Sequence, residues 1–129
     1  MKKKTAKKIL IIEDDPNFVS ILKEKFVSEG FSTFTAQDGK EGLHVSEKEK
    51  PDLIISDVLL PMLNGIDMIK QIKEKNSDMP VILLTNVKDP GYSDAIKKMK
   101  KTDYLIKSDT RLDDIVKIAK KRLKLPNRK

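Results

Sequence analysis

The sequence predicts an α/β domain in which helices cover both faces of a five-stranded parallel sheet. Three observations predict it. Short runs rich in Ile, Val and Leu recur at residues 9–12, 53–55, 81–84 and 104–106, with a weaker alternating run at 31–36. Longer stretches with helical spacing of apolar residues lie between these runs. The strongest runs are apolar throughout, so both their faces must be covered, as in a parallel sheet layered between helices.

The elements follow in order. After the first run, Phe18, Val19, Leu22, Phe26 and Val27 mark a helix that ends at Gly30. Asp15, just ahead of Pro16, is read as its N-cap rather than as a ligand. The run at 31–36 leads through the turn Asp38-Gly39 to a second helix marked by Gly42, Leu43, Val45 and Ser46. Ile66, Met68, Ile69 and Ile72 mark a third, after the run at 53–55. Ala95, Ile96 and Met99 mark a short fourth, entered through Pro90-Gly91. Leu112, Ile115, Val116, Ile118, Ala119 and Leu123 mark the fifth, which Pro126 stops. One domain is expected over residues 9–124, between basic tails at 1–8 and 125–129.

Composition excludes several classes. The 129 residues suit one domain, and with no cysteine there is neither a disulfide nor a thiolate metal site. His44 is the one histidine, which excludes a His-rich site. No apolar run nears the ~20 residues that cross a bilayer, and the stretch after the basic start is too short for a signal peptide. The expectation is a soluble, cytoplasmic protein without membrane insertion. The net charge is +7, concentrated partly at the two ends. No aromatic interleaves the basic runs to stack on bases, so this charge is read as solvated surface and a nucleic-acid partner is not expected.

The residues that follow the apolar runs carry chemistry. Ligands of open α/β sheets bind beyond the carboxyl ends of the strands. Glu13, Asp14 and Asp15 follow the first run, Ser56 and Asp57 the third, Thr85 and Asn86 the fourth, and Lys107 and Ser108 the fifth. The second run ends without such a group. Crowded carboxylates repel, and a hard divalent cation such as Mg²⁺ relieves the repulsion while keeping positions open for phosphate oxygens. With a lysine added, the set fits phosphoryl transfer to a carboxylate nucleophile.

The segments ILIIEDDP, PDLIISDVLLPMLNGID, VILLTN and DYLIKS, in this order and spacing, resemble the receiver domain of two-component response regulators over about residues 9–123. The resemblance implies a flavodoxin-like sheet of order 2-1-3-4-5. It implies Asp57 as phosphoacceptor, with Glu13 and Asp14 as the acidic pair for Mg²⁺. Asp14 would be the direct ligand, Glu13 would act through water, and the backbone carbonyl of Leu59 would join them. Lys107 would contact a phosphate oxygen. Thr85 would bond the phosphoryl group, and Tyr104 would move inward with it. Pro61 and Gly65 would shape the loop after Asp57. The implied partners are a sensor histidine kinase or histidine phosphotransfer protein and a downstream effector protein. With no output domain in the sequence, the effect would pass through another protein, a histidine phosphotransfer step or dimerisation.

Several positions depart from the family pattern. Ser108 stands where proline usually follows the lysine through a cis bond, so the bond is either trans or strained. Asn86 stands where a small residue is usual, and Lys100 and Lys101 replace a usual Gly-Ala. Leu59 and Val87 would border the path of attacking water, and both are apolar, so slow self-dephosphorylation is expected. A phosphatase of the haloacid-dehalogenase type needs a second aspartate where Leu59 stands, and no glycine-rich phosphate loop is present. The chain is therefore expected to be no enzyme beyond its own phosphorylation and dephosphorylation. The alternative is a degenerate receiver that acts as a phosphorylation-independent interaction module.

Overall fold

The computed structural model describes residues 6–86 and 90–126. Ten elements alternate: β1 (Lys8–Ile12), α1 (Pro16–Ser28), β2 (Ser32–Ala36), α2 (Gly39–Glu49), β3 (Leu53–Asp57), α3 (Gly65–Lys75), β4 (Val81–Thr85), α4 (Pro90–Lys97), β5 (Thr102–Ile106) and α5 (Leu112–Arg122). The strands form one sheet of order β2-β1-β3-β4-β5, and every pairing is parallel. This is the expected architecture. Val87 and the outer parts of both tails lie outside the described residues.

Strand alternation divides the core into two layers. Ile9, Ile11, Ile55, Ile82 and Leu84 pack with Leu22 and Phe26 of α1 and with Ile115, Val116 and Ala119 of α5. Leu10, Ile12, Ile54 and Leu83 point the other way, onto Met68, Ile69 and Ile72 of α3 and Ile96 of α4. β1, β3 and β4 are buried almost throughout, whereas the edge strand β5 is half-buried along its length.

The helix starts have local causes. Asp15 Oδ1 accepts from the Asn17 amide at 3.0 Å with Pro16 in the first turn, which is the capping role expected of it. Asp38-Gly39 is no free-standing turn. Asp38 caps α2 by accepting from the Glu41 amide at 2.8 Å, and Gly39 is the first residue of that helix. Asn64 caps α3 by accepting from the Ile66 amide at 2.8 Å. Among the described residues no helix is long and apolar enough to cross a membrane.

Lys101 enters β5 with φ at 49°, in the left-handed region that costs an L-residue about 1–2 kcal/mol. Lys101→Gly is expected to stabilise the fold by about 1 kcal/mol, after the greater freedom of glycine in the unfolded chain is subtracted. Urea unfolding tests this, and a midpoint at or below wild type would contradict it.

Candidate functional site

The ends of β1, β3 and β5 bring the predicted charged residues together. Carboxylate oxygens of Glu13, Asp14 and Asp57 all lie within 4.8 Å of one another. Glu13 is only 3% exposed and Asp57 7%, whereas Asp14 is exposed. Lys107 Nζ reaches into the cluster, 2.5 Å from Glu13 Oε1 and 3.1 Å from Asp57 Oδ2. Glu13 Oε2 accepts from the Asp15 amide at 3.0 Å. Asp57 Oδ1 accepts from the Leu59 amide at 3.3 Å. The second strand contributes after all, because the Ala36 carbonyl accepts from the Glu13 amide at 3.0 Å and holds the acidic turn over the sheet.

The electrostatics follow from this crowding. Burial raises the Glu13 carboxyl above its ordinary value, against the hydrogen bond from Lys107 that lowers it, and the Asp57 charge adds to the rise. Burial also works against the Lys107 ammonium. Its hydrogen bonds to Glu13 and Asp57, together with their charges, outweigh that and hold its pKa above the ordinary lysine value. The two directions are compatible because one ammonium serves two carboxylates, so Glu13 receives only part of its field.

Three carboxylates against one ammonium leave an excess of negative charge, and all the donors are hard oxygens. The set fits a divalent cation of the Mg²⁺ type, which takes few carboxylates and retains waters. The cleft around it, about 390 Å³, is lined by Phe18, Asn86 and Ser108 besides the charged residues. Asn86 and Ser108, two of the positions that depart from the family pattern, therefore line the site. No cis peptide bond occurs among the described residues, so Lys107-Ser108 is trans, and Lys107 still reaches both carboxylates.

Other predicted residues lie outside the charged cluster. Thr85 ends β4, one residue past Leu84, which pairs with Asp57, and it is buried. Tyr104 lies on β5 opposite Leu83 and packs against the layer under α3 and α4. Its hydroxyl is buried with no hydrogen-bond partner among the described residues. Leu59 is 54% exposed beside Asp57. Pro61 and Gly65 do shape the loop: the Pro61 carbonyl accepts from the Gly39 amide at 3.2 Å, and the Gly65 amide donates to Val58 O at 2.9 Å.

One site residue was missed in the sequence. Lys107 Nζ lies 4.6 Å from the centroid of the Phe18 ring, a cation–π contact that holds the ammonium over the cleft. In the sequence Phe18 reads only as part of a helical period. Its place in the first turn of a helix that begins at a strand end was the available signal.

A family model described as the response regulator receiver domain matches residues 9–120. The alkaline phosphatase synthesis transcriptional regulatory protein PhoP of Bacillus subtilis is 37% identical over 102 residues, which cover 78% of this chain and 42% of PhoP. Sporulation initiation phosphotransferase F of the same species is 37% identical over 78 residues, 60% of this chain and 63% of that protein. A CheY-like receiver domain protein from Methanospirillum hungatei superposes with a TM-score of 0.87 over 93% of this chain and 95% of its own, and at 24% identity this likeness speaks for the fold. The chain spans less than half the length of regulators such as PhoP. With the family model matched over nearly all of the doubly wound sheet and the acidic cluster at its strand ends, the chain belongs to the response regulator receiver domain family.

Proposed function

We propose that this chain is a phosphoacceptor switch in which Asp57 takes a phosphoryl group from a histidine kinase or phosphotransfer protein in the cytoplasm. The observation that carries the reading is the placement of Lys107 between Glu13 and Asp57, with Asp14 beside them. An Asp57 oxygen attacks phosphorus and forms the new P–O bond. The bond from phosphorus to the donor breaks, and the donor leaves with its electron pair. Lys107 neutralises charge at the Asp57 carboxylate and on the incoming phosphoryl oxygens. A divalent cation held by Asp14, Asp57 and the Leu59 carbonyl, with Glu13 acting through water, would neutralise the remaining charge on those oxygens. The Thr85 hydroxyl would donate to a phosphoryl oxygen and shift toward it, and Tyr104 would follow into the space behind it, altering a surface that an effector protein reads.

Intact mass after incubation with Mg²⁺ and acetyl phosphate tests it. Wild type should gain one phosphoryl group, and chelator or Asp57→Asn should abolish the gain. The same mass gain in Asp57→Asn would place the acceptor elsewhere. No gain in wild type under any condition would favour the phosphorylation-independent alternative, whose motive is the presence of Asn86 and Ser108 in the cleft. The apolar Leu59, whose amide donates to Asp57, supports slow hydrolysis of the acyl phosphate. Leu59→Asn is expected to shorten its half-life by roughly ten-fold, by positioning a water, and an unchanged decay of the mass signal would rule that out.

A further inference from the structure

We propose that the cleft between the last turns of α2 and α3 binds a small amphipathic carboxylate, an organic acid with an apolar body. The cleft has a volume of about 620 Å³, within the ~300–1,000 Å³ of sites that take small organic ligands. It lies where α2 ends at Glu49 and α3 ends at Lys75, and it takes in Pro51 and Met79 from the chain that leads on into β3 and β4. Asp57 ends β3 at the opposite edge of the sheet, so the cleft is separate from the acidic cluster.

The walls suit an apolar body. Leu43 from α2 and Ile72 from α3 line the cleft together with Pro51 and Met79. Ile72 and Met79 belong to the core layer under α3, and Leu43 packs against that layer. The cleft therefore opens onto the core rather than onto polar surface, and a hydrocarbon seated in it leaves water.

Two polar observations select the head group. Ser46 lines the cleft and is only 8% exposed, yet among the described residues its hydroxyl has no hydrogen-bond partner. Buried hydroxyls are nearly always hydrogen-bonded, and a ligand oxygen would meet this one. Three charged side chains also line the cleft: Glu47, Lys50 and Lys75. The Lys75 ammonium donates to the Glu47 carboxylate across the two helices, which closes that pair on itself. Lys50 is exposed and, among the described residues, has no carboxylate within ion-pairing distance. Lys50 and Ser46 stand one helical turn apart, with the Lys50 amide donating to the Ser46 carbonyl at 3.1 Å. A carboxylate accepts from both side chains.

Other occupants fit less well. The positive charge left on Lys50 repels a cationic ligand. The helix-end carbonyls do not offset this, because Glu49 O accepts from Lys8 Nζ at 3.1 Å and Ile72 O from the Asn76 amide at 3.0 Å. A neutral hydrocarbon leaves Lys50 and Ser46 unmet. A nucleotide finds no aromatic ring in the lining on which to stack.

Decanoate below its micellar concentration is the probe, compared with decanol and decylamine on the full chain with no phosphodonor. Decanoate should bind saturably, raise Tm as a ligand of the folded state does, and shift the methyl NMR signals of Leu43, Ile72 and Met79. Lys50→Gly should weaken binding by about ten-fold. Lys50 ends α2 at φ of 49°, a position glycine prefers, so this variant holds its fold and a loss of affinity is not a loss of structure. Ser46→Ala should weaken binding as well. The proposal is overturned if decanoate does not bind, if decanol or decylamine binds as tightly, if the methyl shifts fall elsewhere, or if Lys50→Gly leaves the affinity unchanged. Asp57→Asn should bind decanoate as wild type does, so the result stands apart from the fate of the Asp57 reading.

Discussion

Gly65→Ala is expected to cost about 3 kcal/mol of stability, at the upper end for an inserted methyl group. A Cβ there would stand 2.2 Å from the Asp57 carbonyl oxygen and 2.9 Å from that of Val58. Both are backbone atoms of the strand and loop that carry Asp57, so no side chain can swing aside. Relief requires the start of α3 to withdraw, which exposes Ile66, Met68 and Ile69, all buried now. It also breaks the bond from the Gly65 amide to Val58. Gly30→Ala is the control. Gly30 has φ of 94° but no atom within 4 Å of its missing Cβ, so it measures backbone strain alone, about 1–2 kcal/mol. Chemical denaturation of the two variants separates the effects. A Gly65→Ala cost no greater than that of Gly30→Ala would disprove the close approach. The expected withdrawal should also slow phosphoryl uptake at Asp57, which intact mass over time would show.

The same contact explains what the sequence could and could not reveal. β1, β3 and β4 were legible because strands buried on both faces must be apolar. The start of β5 was not, because Thr102 and Asp103 belong to a half-buried edge strand where polar residues are tolerated. Ser56 and Asp57 were placed just past their run, yet they extend β3. Their pairing with Ile12 and Leu84 continues the ladder in spite of their polarity. In the sequence Asp38-Gly39 reads as a turn, because Asp-Gly is a turn signal. The actual constraint on Gly39 is the Leu63 carbonyl, 1.9 Å from where a Cβ would stand, and no local pattern discloses a loop that folds back from 24 residues further on. The convergence of Glu13, Asp57 and Lys107 was visible because strand ends in a parallel sheet share one edge. The Phe18 ring beneath the ammonium needed the tertiary placement of α1.

Lys107→Met should cost the metal-free protein about 2 kcal/mol at neutral pH, less than the ~3–5 kcal/mol of a fully buried pair because the cleft opens to water. The loss leaves Glu13 and Asp57 facing each other without a cation, and its pH dependence identifies the cause. Glu13 already lies above its unfolded value of 4.5, and without the hydrogen bond from Lys107 it rises further. A carboxyl raised in the folded state contributes stability that is present below 4.5 and is lost as pH climbs through the folded value. The deficit of the variant therefore opens above pH 4.5 and closes below it. At the alkaline end the wild type loses its own advantage. The Lys107 pKa is raised, so its contribution is full below 10.5 and disappears as pH rises through the folded value. Urea unfolding of both proteins with chelator, from acid to alkaline pH, should show a difference largest at neutrality. A difference of the same size below pH 4.5 would assign the loss to packing on Phe18 instead of charge. Mg²⁺ should then shrink the neutral deficit, since a divalent cation among the three carboxylates replaces the charge the ammonium supplied and binds only the folded state.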